Sequence, residues 1–273
     1  MSRSNVIELK DVQKNFTVGK EEIEILKDVN LNITAGEYVI LFGPSGCGKS
    51  TLLNVVSGLE CPTKGNVLVR GESLYKKKQK EITEYRRSKI GIVFQQFNLL
   101  KALTIQENVA LPMAAGGEKY SRRMERAAHL LDLVGLKKYL KQHPAELSGG
   151  QQQRVAIARA LSTNPWILIC DEPTGNLDSK SADEVMEIIS TLNSKSKRTV
   201  ILVTHNPDYL QYPHRVIYLR DGMIVKEQKN RANEVQEHQD EHKDVDFKDI
   251  IKERNTQPQK DEKDEKEEKE DKK

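Results

Sequence analysis

The residues with the plainest chemical meaning are Gly43-Pro44-Ser45-Gly46-Cys47-Gly48-Lys49-Ser50-Thr51. Their spacing is G-x-x-x-x-G-K-[ST], set between the apolar runs Tyr38-Val39-Ile40-Leu41-Phe42 and Leu52-Leu53-Asn54-Val55-Val56. This reads as a strand, a glycine-rich turn and the first turn of a helix, the P-loop arrangement. Glycines let successive backbone N–H groups converge on one anion, and the positive end of the helix dipole adds to the attraction. Lys49 is placed for the outer phosphates of a nucleotide, and Ser50 offers its hydroxyl to Mg²⁺. The first turn, Lys49 to Leu52, contains no Asp or Glu, so the negative charge favoured at a helix start is expected from a ligand.

A second set of residues is suited to hydrolysis. Trp166-Ile167-Leu168-Ile169-Cys170 is continuous apolar sequence ending in Asp171-Glu172, as expected of a strand buried on both faces. Near a phosphate loop, Asp171 is suited to Mg²⁺, largely through water, and Glu172 to orienting or deprotonating an attacking water. Thr199-Val200-Ile201-Leu202-Val203 is another buried run and ends at Thr204-His205, where an imidazole can bond a terminal phosphate. Ile90-Gly91-Ile92-Val93-Phe94 ends at Gln95. Its amide can reach a metal ion or a water at the same sheet edge, and on spacing alone it also fits a solvated loop.

Leu147-Ser148-Gly149-Gly150-Gln151 opens a helix over 152–162, with Ser148 as N-cap and again no acid in the first turn. It reads either as a second anion-seeking start or as an ordinary glycine-bearing cap. Phe16 closes the first strand, where its ring can stack on adenine or simply end the strand.

The elements that must position these groups follow from periodicity. Residues 6–16 and 22–33 alternate loosely and are rich in β-branched types, which predicts two antiparallel strands beside the nucleotide. A turn is expected at 62–65, a strand at 66–70 and a polar helix at 81–89. Helices at 104–111 and 121–140, parted by Gly116-Gly117, form a helical insertion in an α/β chain, and a further helix covers 179–194.

The chain has 273 residues, 37% hydrophobic and 31% charged, enough for one sizeable core plus a solvated segment. From about residue 228 the sequence is dominated by Lys, Glu, Asp and Gln, so 229–273 is read as a charged, disordered tail. Within it, Val245, Phe247, Ile250 and Ile251 form a weak apolar cluster, and His238-Gln239-Asp240-Glu241-His242 formally matches a zinc pattern but lacks an apolar framework. A net charge of +3 gives no reason to expect nucleic acid as a partner. Three cysteines form no C-x-x-C pair, which fits a reducing compartment. No run approaches the roughly 18 apolar residues of a membrane span. A [NT]-K-x-D guanine motif is absent from the sequence, which argues against a GTPase.

Over about 6–227 the chain resembles the ATP-binding subunit of an ATP-binding cassette (ABC) transporter. The P-loop alone is shared by many NTPases. The run Leu147 to Gln151 shortly before Ile167 to Glu172, with His205 beyond, is specific to this family. The resemblance implies a P-loop NTPase fold with an antiparallel β subdomain and a helical subdomain at about 98–160, within an ATP-binding domain covering 1–228. It implies ATP and Mg²⁺ as cofactors, Phe16 on adenine, Gln95 linking the metal site to a membrane partner, and Glu172 as the catalytic carboxylate. It further implies a head-to-tail dimer of identical or similar cassettes. In it Ser148, Gly149, Gly150 and Gln151 of one subunit close over the phosphate held by Lys49 of the other, and Asp178 contacts across the interface. The expected partner is an integral membrane permease, which would hold the protein on the cytoplasmic face of a membrane. Phe94 to Leu100, Glu107 to Pro112 and Pro173 to Asp178 look like the lipoprotein-release, macrolide-export and antimicrobial-peptide-export branch. A cell-division-type ATPase acting on the wall and a soluble ABC ATPase are the alternatives.

Overall fold

The structure, a computed structural model, describes residues 4–230. Its strands in chain order are β1 (Asn5–Val18), β2 (Glu21–Thr34), β3 (Tyr38–Phe42), β4 (Lys64–Val69), β5 (Glu72–Ser73), β6 (Ile90–Val93), β7 (Ile167–Asp171), β8 (Thr199–Thr204), β9 (Arg215–Arg220) and β10 (Met223–Lys229). The helices are α1 (Lys49–Ser57), α2 (Gln79–Lys89), α3 (Ile105–Ala115), α4 (Tyr120–Leu133), α5 (Gly149–Leu161) and α6 (Ser179–Ser194).

The continuous apolar runs become the middle of a sheet ordered β10-β9-β3-β8-β7-β6. Every residue of β8 is buried, as are the first four of β3 and of β7. That is why these strands lack the in-and-out alternation of a one-sided sheet. They run parallel, and their register aligns the ends: Phe42 pairs with Thr204, Asp171 with Val203, and Val93 with Cys170. The loops after β3, β6, β7 and β8 therefore leave one edge of the sheet side by side, where open α/β sheets bind ligands.

The second sheet, β2-β1-β4-β5, is antiparallel. Its inward residues Ile7, Leu9, Leu26 and Ile33 share one buried cluster with Leu52 and Val55 of α1 and with Ile169, Ile201 and Ile217 of the parallel sheet. Burial of each such side chain stabilises by about 1.5–3 kcal/mol. The helix that follows the phosphate loop is thus clamped between two sheets. Helices α3, α4 and α5 pack on one another.

The structure departs from the sequence reading in several places. The helix expected over 121–140 stops at Leu133, because Gly135 turns into the left-handed region (φ 73°) and carries Leu136 back into the core. The helix expected to end at 111 continues through Pro112 to Ala115. Gly149 and Gly150 belong to α5 rather than to the loop before it. Strands β9 and β10, which complete the large sheet, were not anticipated. No helix among the described residues is long and apolar enough to cross a membrane. The charged segment from 231 onward, with its apolar cluster and its paired histidines, lies outside the described residues.

Candidate nucleotide site

The phosphate loop has the backbone that its glycines permit. Gly46 (φ 77°) and Gly48 (φ 102°) are left-handed, and Gly48 is the N-cap of α1. At Gly43 the loop runs so close to β9 that an added Cβ would stand 2.2 Å from the Leu219 carbonyl oxygen and 2.9 Å from Cys47 Sγ. Lys49 is buried, and its Nζ donates to the carbonyl oxygens of Gly43 and Pro44 at 2.8 Å each. An ammonium has three donors, so one is available to a phosphate oxygen. Pro44, Ser45, Gly46, Ser50 and Thr51 complete the turn, and the first turn of α1 holds no acid.

Ser50 Oγ donates to Asp171 Oδ1 at 3.1 Å, joining the start of α1 to the end of β7. Burial raises the Asp171 carboxyl above its ordinary value; the Ser50 hydrogen bond and Lys49 oppose that shift, and neighbouring Glu172 adds to it. A half-buried carboxylate beside a hydroxyl offers hard oxygen ligands that suit a divalent cation. Among the described residues no group of three or more His, Cys, Asp or Glu side chains forms a metal cage. Mg²⁺ fits such a site because it takes few protein ligands and draws the rest from phosphate and water.

Glu172 has left-handed backbone (φ 45°), uncommon for a residue with a β-carbon and associated with functional sites. Its N–H donates to the Val203 carbonyl at 3.1 Å, and its own carbonyl accepts from Gly175 N at 3.1 Å, so a tight turn starts here. Its side chain, 19% exposed, meets His205, with Nδ1 3.1 Å from Oε1. A cavity lined by Glu172, Thr174, Thr204, His205 and Tyr209 adjoins the pair. Gln95, expected near a metal ion or water, packs on the turn after Glu172: a Cβ on Gly175 would stand 2.8 Å from Gln95 Nε2. Asn176 Nδ2 donates to the Gln95 carbonyl at 3.1 Å.

Ser148 caps α5, accepting from Gln151 N at 3.3 Å while its own N–H donates to Gln151 Oε1 at 2.9 Å. The Gln151 side chain is thereby engaged in the cap. Gly150 meets the start of α6, where an added Cβ would stand 2.5 Å from Ser181 Oγ, and Gly149 faces Phe97 and Leu177. None of these neighbours belongs to the phosphate loop of the same chain. Asp178, expected at a subunit contact, caps α6 by accepting from Ser181 N at 3.0 Å, and that hydrogen bonding holds its carboxyl below the usual range. Phe16 stands partly exposed near the end of β1 with Lys14 Nζ 4.8 Å from its ring centroid. Lys14, Gly175, Asn176 and Ser181 were missed by the sequence reading. Gly175 and Asn176 fall within the run Pro173 to Asp178, and Lys14 stands two residues before Phe16 on a strand.

The description "ABC transporter" belongs to the family profile that matches residues 26–175. An ABC transporter ATP-binding protein of Methanocaldococcus jannaschii is 50% identical over 221 residues, 81% of this chain and 98% of that protein. The macrolide export ATP-binding/permease protein MacB of Syntrophobacter fumaroxidans is 43% identical over 225 residues, 82% of this chain and 32% of that protein. A solved dimer of the ATP-binding cassette MJ0796, also from M. jannaschii, in a post-hydrolysis state bound to ADP and Pi, superposes with a TM-score of 0.77. It is 44% identical and covers 82% of this chain and 99% of its own. With a P-loop held against a carboxylate pair and an imidazole at one sheet edge, and with these relatives spanning most of its length, the chain belongs to the ABC transporter family as an ATP-binding ATPase cassette.

Proposed function

We propose that two copies of this cassette hydrolyse ATP at composite sites between them and drive an integral membrane permease, in an export or lipoprotein-release system. The observation that carries the reading is the meeting of Ser50, Asp171, Glu172 and His205 beside a Lys49-bearing phosphate loop. The adenine stacks on Phe16, and the loop N–H groups with Lys49 hold the phosphates. Ser50 and Asp171 would hold Mg²⁺, which would offset charge on the phosphates. Gln95, packed against the turn that Glu172 opens, links this site to the permease.

Glu172 takes a proton from the attacking water. His205 holds Oε1 of that carboxylate, which orients Oε2 for the water. Water attacks the γ-phosphorus in line, the bond to the β-phosphate oxygen breaks, and the products are ADP and phosphate. The acid-free start of α5, Ser148 to Gln151, closes over the γ-phosphate of the other copy, with Asp178 beside it. The dimeric, ADP- and Pi-bound state of MJ0796 supports that pairing. In MacB the matching segment is 32% of a protein named both ATP-binding and permease, which supports a permease partner.

Glu172→Gln tests the chemistry. Turnover is expected to fall by about 10²–10⁴, the worth of a general base, while ATP binding persists and ATP-bound dimer accumulates on a sizing column. Near-normal hydrolysis removes Glu172 from that role.

A further inference from the structure

Phe16 has to hold its ring still to stack a base, yet it lies near the end of β1, is 38% exposed, and pairs across the hairpin with an exposed Ile23. Two relations in the structure supply the missing rigidity. The first is that the turn following α1 grips β1 at three successive residues just before the ring. Thr63 N donates to the Gln13 carbonyl at 2.8 Å, Lys14 Nζ donates to the Cys61 carbonyl at 2.9 Å, and Asn15 N donates to Thr63 Oγ1 at 2.9 Å. The β1–β2 register is broken on both sides of Lys14, a bulge of the kind that re-aims side chains.

The second relation is the position of the Lys14 cation. Its side chain is only 16% exposed, its Nζ stands 3.8 Å from Glu60 Oε2, and it lies 4.8 Å from the Phe16 ring centroid. Glu60 in turn accepts from Asn54 Nδ2 at 2.8 Å, and Asn54 is in α1. A continuous path therefore runs from the helix that opens at the phosphate loop, through Asn54, Glu60 and Lys14, to the aromatic ring. Since Asn54 lies five residues beyond Lys49 in α1, about 7.5 Å along the helix axis, this path ties the ring to the phosphate cradle over a short, rigid span.

We infer that Lys14 is a positioning residue for the nucleotide base: its ammonium covers one face of the Phe16 ring and leaves the other face to the purine. The inference rests on Phe16 as the stacking residue in the proposed function. A cation over an aromatic face is attracted to it more strongly as it is desolvated, enough to favour one orientation of a half-exposed ring. Lys14 acts only through the ring, so it affects the base and not the phosphates.

The test measures binding of ATP and of inorganic tripolyphosphate, each by competition with a fluorescent ATP analogue, together with kcat and KM for ATP. The proteins compared are the full chain, Lys14→Met, Lys14→Arg, Phe16→Ala and the Lys14→Met/Phe16→Ala double variant. Lys14→Met is expected to weaken ATP binding and raise KM by about three- to tenfold, in keeping with a cation–π contact, with kcat within about twofold. Tripolyphosphate, which has no base, should bind all of them alike, Lys14→Arg should restore ATP binding, and the double variant should bind no worse than Phe16→Ala. The inference is overturned by wild-type ATP affinity in Lys14→Met, by equal weakening for tripolyphosphate, or by a further loss when Lys14→Met is added to Phe16→Ala. If Phe16→Ala itself binds ATP normally, the stacking role of Phe16 fails first. If Phe16→Ala weakens ATP and Lys14→Met does not, only the role of Lys14 fails.

Discussion

His205 Nδ1 stands 3.1 Å from Glu172 Oε1, and this contact joins the ends of two adjacent parallel strands. One carboxylate oxygen is thereby held while the other stays available, on a residue whose left-handed backbone already fixes where its side chain can point. The sequence suggested that His205 bonds a terminal phosphate; in the structure its partner is the candidate base. These two roles differ in what a substitution does.

His205→Ala should lower kcat by about ten- to a hundredfold, short of the general-base loss at Glu172, with ATP affinity kept. A large loss of ATP affinity with kcat preserved would show that His205 serves the phosphate instead. Single-turnover hydrolysis alongside equilibrium binding separates the two.

Gly150→Ala should weaken the seat of α5 on α6, because the new Cβ would stand 2.5 Å from Ser181 Oγ and 2.6 Å from Ser181 Cβ. Overpacking of this kind costs about 1–3 kcal/mol. Hydrolysis should fall while ATP binding to the phosphate loop is retained. Adding Ser181→Gly, which removes both clashing atoms, should restore melting temperature and turnover together.

Asp171 carries a pH signature. Burial raises its carboxyl in the folded chain, so its ionised form opposes folding. The associated stability is fully present below the ordinary carboxylate range near about 3.9 and is lost as pH rises through the raised value. Nucleotide-free Asp171→Asn should therefore melt higher than wild type at pH 7, with the gap closing as pH falls toward about 4. Asparagine retains an oxygen for the Ser50 hydroxyl, so the packing there survives. Stabilisation by Mg²⁺ with ATP should be lost in the same variant, and an unchanged Mg²⁺ effect would remove Asp171 from the metal site.

Ser148→Arg should leave ATP binding intact and stop hydrolysis, because the atoms nearest Gly149 and Gly150 belong to Phe97, Asn176, Leu177 and Ser181 and not to the phosphate loop of their own chain. A collapse of ATP affinity would place both helix starts at one site of one chain.

Much of this arrangement was legible in the sequence where the signal is local. The helix expected over 179–194 matches α6 residue for residue, since Asp178 caps it and its apolar positions keep one period. The phosphate loop, the run into Asp171-Glu172 and the cap at Ser148 are likewise local patterns. What escaped depends on distant pairing. β9 joins β3 only through the register of Arg215 with Val39 onward, across the whole intervening chain, and its Arg-Val-Ile-Tyr-Leu-Arg has no run long enough to announce a central strand. The packing of Gln95 on Gly175 joins residues 80 positions apart by a backbone that happens to lack a side chain. The end of α4 turned on one glycine adopting a left-handed φ, which spacing cannot distinguish from a tolerated helix glycine.

If ATP is hydrolysed only at composite sites, one copy alone lacks part of each. The most direct measurement is hydrolysis per chain as a function of protein concentration, followed through the range in which light scattering shows ATP-bound dimer giving way to monomer. Turnover per chain should fall with the dimer fraction and vanish in the monomer. Constant turnover per chain down to concentrations where only monomer remains would contradict it.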